Sequence, residues 1–422
     1  MWIYLIILGY VLGCVYATWQ LMWWLKRTRW GHKHHLHAYA IALGIIDMIP
    51  ILGAFLPEGT FDARLQQIGN IWLGWVIVYG LCLVFAHILK LVIHMVSTRQ
   101  AEVLLATMLA IAAAFNIVGY IHAQHIYTHY YALNINDSKT ELLAEELVGH
   151  EYERLSDEQI YKAKDGEQVT RLVLLADMHM GVNTRFKTVA EMTDIVKSCQ
   201  PDYIIGGGDY FTSSYVGLFG ADRYAKKLAT MTEDGTKALM AYGNHDVTEP
   251  LFCGFAIKDR SEVFRYDDMD KFFKRCKWQM LPDKLLNING IQFYFRQDGS
   301  KTGDGLNQRA SASDIAKEVS SEQPLVVVQH EPEGYDELAN IGADLVLSGH
   351  THDGQIWPGT WVTRIVSKNA HGYKIKNGIS TIVSSGAGYF GPPLRVGSHS
   401  EIVVIDLIQP ADSTLTDNNK AR

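Results

Sequence analysis

Five short stretches of the chain carry residue types that could do chemistry together. RLVLLADMHMG ends an apolar run on Asp177 and His179. Alternate residues of an extended chain point to the same side, so a carboxylate oxygen and an imidazole nitrogen at this spacing can grip one ion. In PDYIIGGGDYF three glycines let the backbone approach closely before Asp209. A carboxylate has two oxygens, so one Asp at such a position can bridge two metals. ALMAYGNHDV closes on Asn244, His245 and Asp246. Asn offers a neutral oxygen ligand, and the adjacent His is free to donate a proton. PLVVVQHEPEG sets His330 after an apolar run, and ADLVLSGHTHDGQ sets His350 and His352 two residues apart. Each of these alone is an ordinary loop residue. Five such clusters, each at a strand end and in this order, are not an accidental set.

The elements that must position them read clearly. From Val169 onward, short apolar runs bounded by turn residues alternate with helix-like stretches, as buried strands and their crossovers do. With DMH, GD, GNHD, an isolated QH and GHTH in this order, the region from about 170 to 407 resembles the calcineurin-like metallophosphoesterase superfamily. The ending SSGAGYFGPPLRVGSHSEIVVIDL is similar to the closing segment of that family's bacterial branch, which carries GHTHGGQ-type signatures. A soluble half behind several apolar spans resembles the transmembrane members. The resemblance implies an α/β metallophosphoesterase domain, a two-sheet β-sandwich flanked by helices, with its site at the strand ends. It implies one metal held by Asp177, His179 and His352, a second held by Asn244, His330 and His350, and Asp209 bridging the two. It further implies His245 as the general acid, with Asp246 orienting its ring. Two divalent ions would bring four positive charges against the two carboxylates, leaving a surplus to bind phosphate oxygens and acidify a water. Mixed His, Asp and Asn ligation suits Mn, Fe or Zn better than Ca or Mg. The chain departs from the pattern in two places. Tyr210, Phe211, Thr212 and Ser213 follow Asp209 where many relatives carry a second acid. Asp353 stands where Gly is frequent and reads as a solvated loop carboxylate.

The 422 residues divide into unlike halves. Residues 1–125 are strongly apolar, whereas 140–422 have the mixed charge of a globular domain. The net charge of −7 and the lack of a basic stripe argue against a nucleic-acid partner. The five cysteines are scattered and form neither a disulfide framework nor a CxxC zinc motif. Four segments, about 1–25, 38–56, 70–95 and 103–122, are long and apolar enough to cross a bilayer as helices. The first lacks a basic leader and a small-residue cleavage site, so it reads as an uncleaved anchor.

Lys26, Arg27, Arg29 and Lys33 follow the first segment, Glu58 and Asp62 face Arg64 after the second, and Lys90 and Arg99 flank the third loop. The positive-inside bias then sets loops one and three in the cytoplasm and the large domain outside it, and the resemblance to the bacterial branch implies a bacterial cell membrane. Asp47, inside segment two, reads as hydrogen-bonded to a neighbouring helix. His32, His34, His35 and His37 read as a polar loop at the membrane edge. Residues 126–168 read as a linker, with a strand in HIYTHYYALNIN and helix plus loop across Glu141–Lys164. Residues 409–422 read as a disordered tail. Val247–Pro324 is a long insert whose first part mixes apolar and basic residues; it reads as a helix packed on the sandwich, the alternative being a lid or a segment that, with YFGPPLR near the end, faces lipid. With the anchor, a lipid-facing insert makes the expected substrate a phosphoester or pyrophosphate on a lipid-linked molecule. The alternative is a membrane sensor or transporter regulated by the metal-binding domain.

Overall fold

In a computed structural model the described residues are 2–28, 31, 33–56, 60–94, 97–136, 139–148, 160–182, 184–212, 218–248, 251–252, 255–256, 265, 267–302 and 308–411. The chain forms two compact units. The first comprises 1–123 together with two later segments, 249–259 and 390–396. Its four helices are α1 (Trp2–Leu25), α2 (Lys33–Phe55), α3 (Thr60–Val92) and α4 (Thr98–Ala123). All four are long and apolar enough to cross a membrane. α3 begins ten residues before the expected span, because TFDARLQQIG continues the helix of the apolar run. Asp47 accepts from Trp72 Nε1 at 2.8 Å and from Thr18 Oγ1 at 3.5 Å, so this in-span carboxyl has partners on two neighbouring helices. Within the same unit Arg395 N–H donates to Gly119 O at 3.0 Å, pinning the 390–396 segment to α4. His35 and His37 begin α2 rather than a loop, and His32 lies outside the described residues.

The second unit comprises 124–248, 260–389 and 397–422. Its strands in chain order are β1 (Ile126–Asn136), β2 (Lys139–Val148), β3 (Glu167–Leu175), β4 (Tyr203–Gly206) and β5 (Lys237–Met240). A two-strand hairpin of the first unit, β6 (Leu251–Phe252) and β7 (Phe255–Ala256), interrupts the series. There follow β8 (Trp278–Met280), β9 (Lys284–Ile288), β10 (Ile291–Phe295), β11 (Leu325–Val328), β12 (Leu345–Ser348), β13 (Gly372–Lys376), β14 (Ile379–Val383) and β15 (Ser400–Pro410). They build a seven-stranded sheet in the order β2-β1-β15-β3-β4-β5-β8 and a six-stranded sheet in the order β13-β14-β12-β11-β10-β9. Both sheets are mixed: β3, β4, β5 and β8 run parallel, as do β10, β11, β12 and β14.

Period-two alternation decides which side chain meets which layer. Leu172 and Leu174 of β3 join Phe293, Val326, Val328 and Leu347 of the other sheet in the core between the sheets. Val173 and Leu175 point the other way, onto α5 (Phe186–Ser198) through Val189 and Met192. On the far face of the second sheet Val327 and Val346 meet Ile315, Tyr335 and Leu338. Both faces of the central strands are covered, so they are continuous apolar runs, and each fully buried Val, Leu or Phe contributes about 1.5–3 kcal/mol.

One expectation is corrected here. Residues 126–148 are not a linker: β1 lies inside the large sheet, parallel to β15, and β2 pairs with it along the sheet edge. KTELLAEELV is rich in helix formers, but pairing with β1 overrides that propensity and makes Lys139–Val148 a strand. The helical reading over 149–159 falls outside the described residues. The 247–324 insert contains a helix packed on the sandwich, as expected, and more besides. It supplies strands to both sheets, and α7 (Asp267–Arg275) packs Met269, Phe272 and Phe273 into the core. β15 carries the chain to Pro410, and 412–422 lie outside the described residues.

Candidate metal centre

Every residue singled out in the sequence follows a strand that is one of several parallel neighbours. Asp177 and His179 follow β3, Asp209 follows β4, and Asn244, His245 and Asp246 follow β5. His330 follows β11, while His350 and His352 follow β12. The carboxyl ends of parallel strands from two sheets thus converge on one place. The backbone there is under strain. Asp177, His179, Asp209, His350 and His352 have φ of 52°, 45°, 56°, 75° and 51°, values L-residues adopt rarely and functional loops retain. The loops are laced together by Asp177 N–H to Gly208 O at 2.9 Å, His179 N–H to Asp209 O at 3.1 Å and Gly349 N–H to His330 O at 3.0 Å. A side chain at Gly349 would run into the Asp177 carboxylate, and one at Gly243 into that of Asp209.

The side chains form two groups around Asp209. In one, His179 Nε2 lies 3.0 Å from His352 Nε2, with Asp177 Oδ1 3.9 Å from His179 Nε2 and 3.5 Å from His352 Nε2. In the other, His350 Nδ1 lies 3.3 Å from His330 Nε2 and 3.1 Å from Asn244 Oδ1. Asp209 Oδ2 faces both groups, 3.1 Å from His330 Nε2 and 3.8 Å from His179 Nε2. Asp177, His179, Asp209 and His330 are fully or almost fully buried, and His350 is the most exposed of the seven.

This donor set fits bound cations. His179 Nδ1 donates to Phe211 O at 3.2 Å and His330 Nδ1 to Gly207 O at 2.8 Å, which leaves each Nε2 lone pair aimed into its group. Nitrogen then faces nitrogen in each group, at 3.0 and 3.3 Å. Two nitrogens bound about 2.0–2.1 Å from one ion lie about 3.0–3.4 Å apart, the spacing found here. A third group of His129, His371 and Glu401 is a useful contrast. There each close pair sets an imidazole against a carboxylate, at 3.3 Å from His129 Nδ1 and 3.0 Å from His371 Nε2, and the contacts close as hydrogen bonds.

Residues 170–354 match the family model for calcineurin-like phosphoesterases. The chain carries a calcineurin-like phosphoesterase domain. It is 30% identical over 247 residues to an uncharacterized metallophosphoesterase of Campylobacter jejuni, covering 56% of this chain and 59% of that one. It is 27% identical to a Danio rerio transmembrane protein with a metallophosphoesterase domain, covering 57% and 53% of the two chains. The chain thus spans less than two thirds of the length of these relatives. Among solved structures, a dimetal phosphatase from Danio rerio aligns with a TM-score of 0.33 at 10% identity, over 58% of this chain and 99% of that one.

In the phosphoesterase domain Asp246 does not orient the His245 ring as expected. Its carboxylate accepts from four backbone N–H groups, those of Asp209 at 2.9 Å, Gly243 at 2.8 Å, Tyr210 at 2.8 Å and Phe211 at 3.2 Å. Asp246 therefore ties the loop after β4 to the loop after β5. Burial and the nearby Asp209 charge push it up to about 7, against the pull of those N–H groups. His245 is buried with its ring 5.6 Å from that of His179, and its backbone N–H donates to Asp209 Oδ1 at 2.7 Å. Burial holds its imidazole well below the usual range. Burial works the other way on Asp209, but His330, His245 and His179 overcome it and keep that carboxyl strongly acidic.

Two further residues escaped the sequence reading. Asp353 is 2% exposed rather than solvated, because Arg364 grips both its oxygens, at 3.0 and 2.6 Å. Glu401 is 1% exposed and receives the Ser385 N–H at 2.8 Å, at the start of the loop whose Gly388 N–H donates to Asp177 O at 2.8 Å. Burial alone would raise its pKa, but His371 and the bonds from His129 and His371 hold it well below the usual range. A carboxyl depressed below its unfolded value, near ~4.3, contributes stability that is whole above that pH and lost as pH falls through the folded value. Glu401→Gln is expected to cost about 3 kcal/mol near neutrality, by removing the buried carboxylate that bonds to His129, His371 and the Ser385 N–H. Thermal unfolding of both proteins from pH 7 down to pH 3 checks this: the gap in midpoint should narrow only at the acid end.

Proposed function

We propose that the chain is a membrane-anchored phosphoesterase with a dinuclear metal centre, acting on a lipid-linked phosphoester or pyrophosphate. The observation that carries the first part is the pair of nitrogen-facing-nitrogen contacts on either side of Asp209 Oδ2. Asp177, His179 and His352 would hold one ion and Asn244, His330 and His350 the other, with Asp209 between them. Mn, Fe or Zn suits these ligands. When bound, two such ions supply charge for the phosphate oxygens and lower the pKa of a water.

The protein's own groups do the rest. The backbone N–H of His245 holds Asp209 Oδ1, which leaves Oδ2 free to face both ligand groups. Asp246 fixes the two loops that carry Asp209 and His245. The His245 imidazole is the proton donor to the leaving oxygen. Its buried site disfavours the charged form until an anionic phosphate arrives and stabilises it. His330 and His179 are kept in the required tautomer by Gly207 O and Phe211 O.

Support for a lipid-linked substrate comes from the four apolar helices and from the two segments grouped with them, 249–259 and 390–396, for which the sequence leaves a lipid-facing role as an alternative. The basic first and third loops favour an outward-facing phosphoesterase domain. Detergent-solubilised full-length protein loaded with Mn should hydrolyse lipid-linked pyrophosphates or phosphodiesters in preference to free nucleotides. Equal turnover of nucleotides would remove the lipid part of the proposal.

A further inference from the structure

The helix that follows the His350–His352 loop, α10 (Gly359–Val366), is inside out. Trp361, Val362, Ile365 and Val366 are 66%, 52%, 68% and 74% exposed, and Trp357 just before them is 55% exposed. At about 100° per residue these four helical positions cover an arc of roughly 140°. The polar positions occupy the other side, where Thr360 packs inward and Arg364 is half exposed. Thr360 is buried, and Arg364 closes on the buried Asp353 through two hydrogen bonds. An ordinary surface helix turns its apolar stripe inward. Here the polar stripe is the one anchored, and the apolar stripe is presented outward.

The neighbouring strand repeats the theme. Ile375 of β13 is 64% exposed between Lys374 and Lys376. Lys374 feels burial first and then the charges of Lys376 and Arg364, which together hold its pKa below the usual range. Two tryptophans, a run of aliphatic side chains and adjacent cations are the composition of a helix lying in the headgroup region of a bilayer. A bilayer is always at hand, because the same chain carries four helices apolar enough to span one.

We infer that α10 is a lipid-docking helix that seats the phosphoesterase domain on the membrane surface. This rests on the proposed function for its purpose. Asp353 directly follows His352, so the Arg364–Asp353 pair ties the docked helix to the loop that carries two of the site histidines. The candidate site is thereby held at headgroup depth, where the phosphate of a lipid-linked substrate lies.

The test uses full-length protein in nanodiscs of phosphatidylethanolamine and phosphatidylglycerol. A benzophenone amino acid is placed at Trp361 or Ile365, with Lys187 as the control position, and photo-adducts are read by mass spectrometry. Lipid adducts at 361 and 365 but not at 187 are expected. Adducts to a second copy of the chain, or none above the control, would overturn the inference. In parallel, Ile365→Asp with Val366→Asp should lower turnover of a lipid-anchored phosphodiester by about tenfold. Metal content and turnover of a soluble chromogenic phosphodiester should stay unchanged. Equal turnover of the lipid-anchored substrate by this variant would also contradict the docking. If wild type cleaved neither substrate while lipid adducts still formed, the functional proposal would fail and the docking would stand.

Discussion

Asp209→Asn is expected to empty the centre. Asp209 Oδ1 is taken by the His245 N–H, so an amide in its place keeps its oxygen there and turns its NH2 toward the two histidine groups. The substitution removes the one anionic oxygen that faces both, and puts donor hydrogens where cations need an acceptor. Metal content should fall from about two ions per chain to below one, and turnover should fall by about 10³-fold, equivalent to roughly 4 kcal/mol of barrier. Elemental analysis of the purified variant beside a chromogenic phosphodiester assay checks both. A variant that keeps two ions and its rate would show that Asp209 is not the bridge.

His245→Gln should separate metal binding from catalysis. The contact that matters to Asp209 is made by the backbone of residue 245, so changing the side chain leaves the bridging carboxylate in place. Metal content should stay at the wild-type value. Turnover of a substrate with a poor alkoxide leaving group should fall by about 10²–10⁴-fold, the usual worth of a positioned general acid. A nitrophenyl leaving group needs little protonation, so its loss should be smaller. Equal losses for both leaving groups would assign His245 a structural role.

The candidate site was legible from sequence because its chemistry is local. DMH, GD, GNHD, QH and GHTH each end an apolar run, and a strand end is where parallel-sheet folds present side chains. What was not legible is what depends on distant partners. Asp246 bonds to backbone groups 35 to 37 residues earlier, and a backbone N–H leaves no mark in the sequence. Asp353 looked solvated because its burial is decided by Arg364. Glu401 meets His129 across 272 positions. β2 was misread as helix because KTELLAEELV favours one locally, and only pairing with β1 makes it a strand. The outward apolar stripe of α10 has the periodicity of any buried helix. Sequence periodicity shows that a stripe exists but not which way it faces.

The central claim is that two metal sites share Asp209, and one titration tests it directly. Metal-stripped full-length protein is mixed with increasing Mn, and phosphodiester turnover is followed against bound metal per chain. The account predicts little rate up to the first equivalent and saturation at the second. A rate that saturates at one equivalent, or that is undiminished in stripped protein, would contradict it.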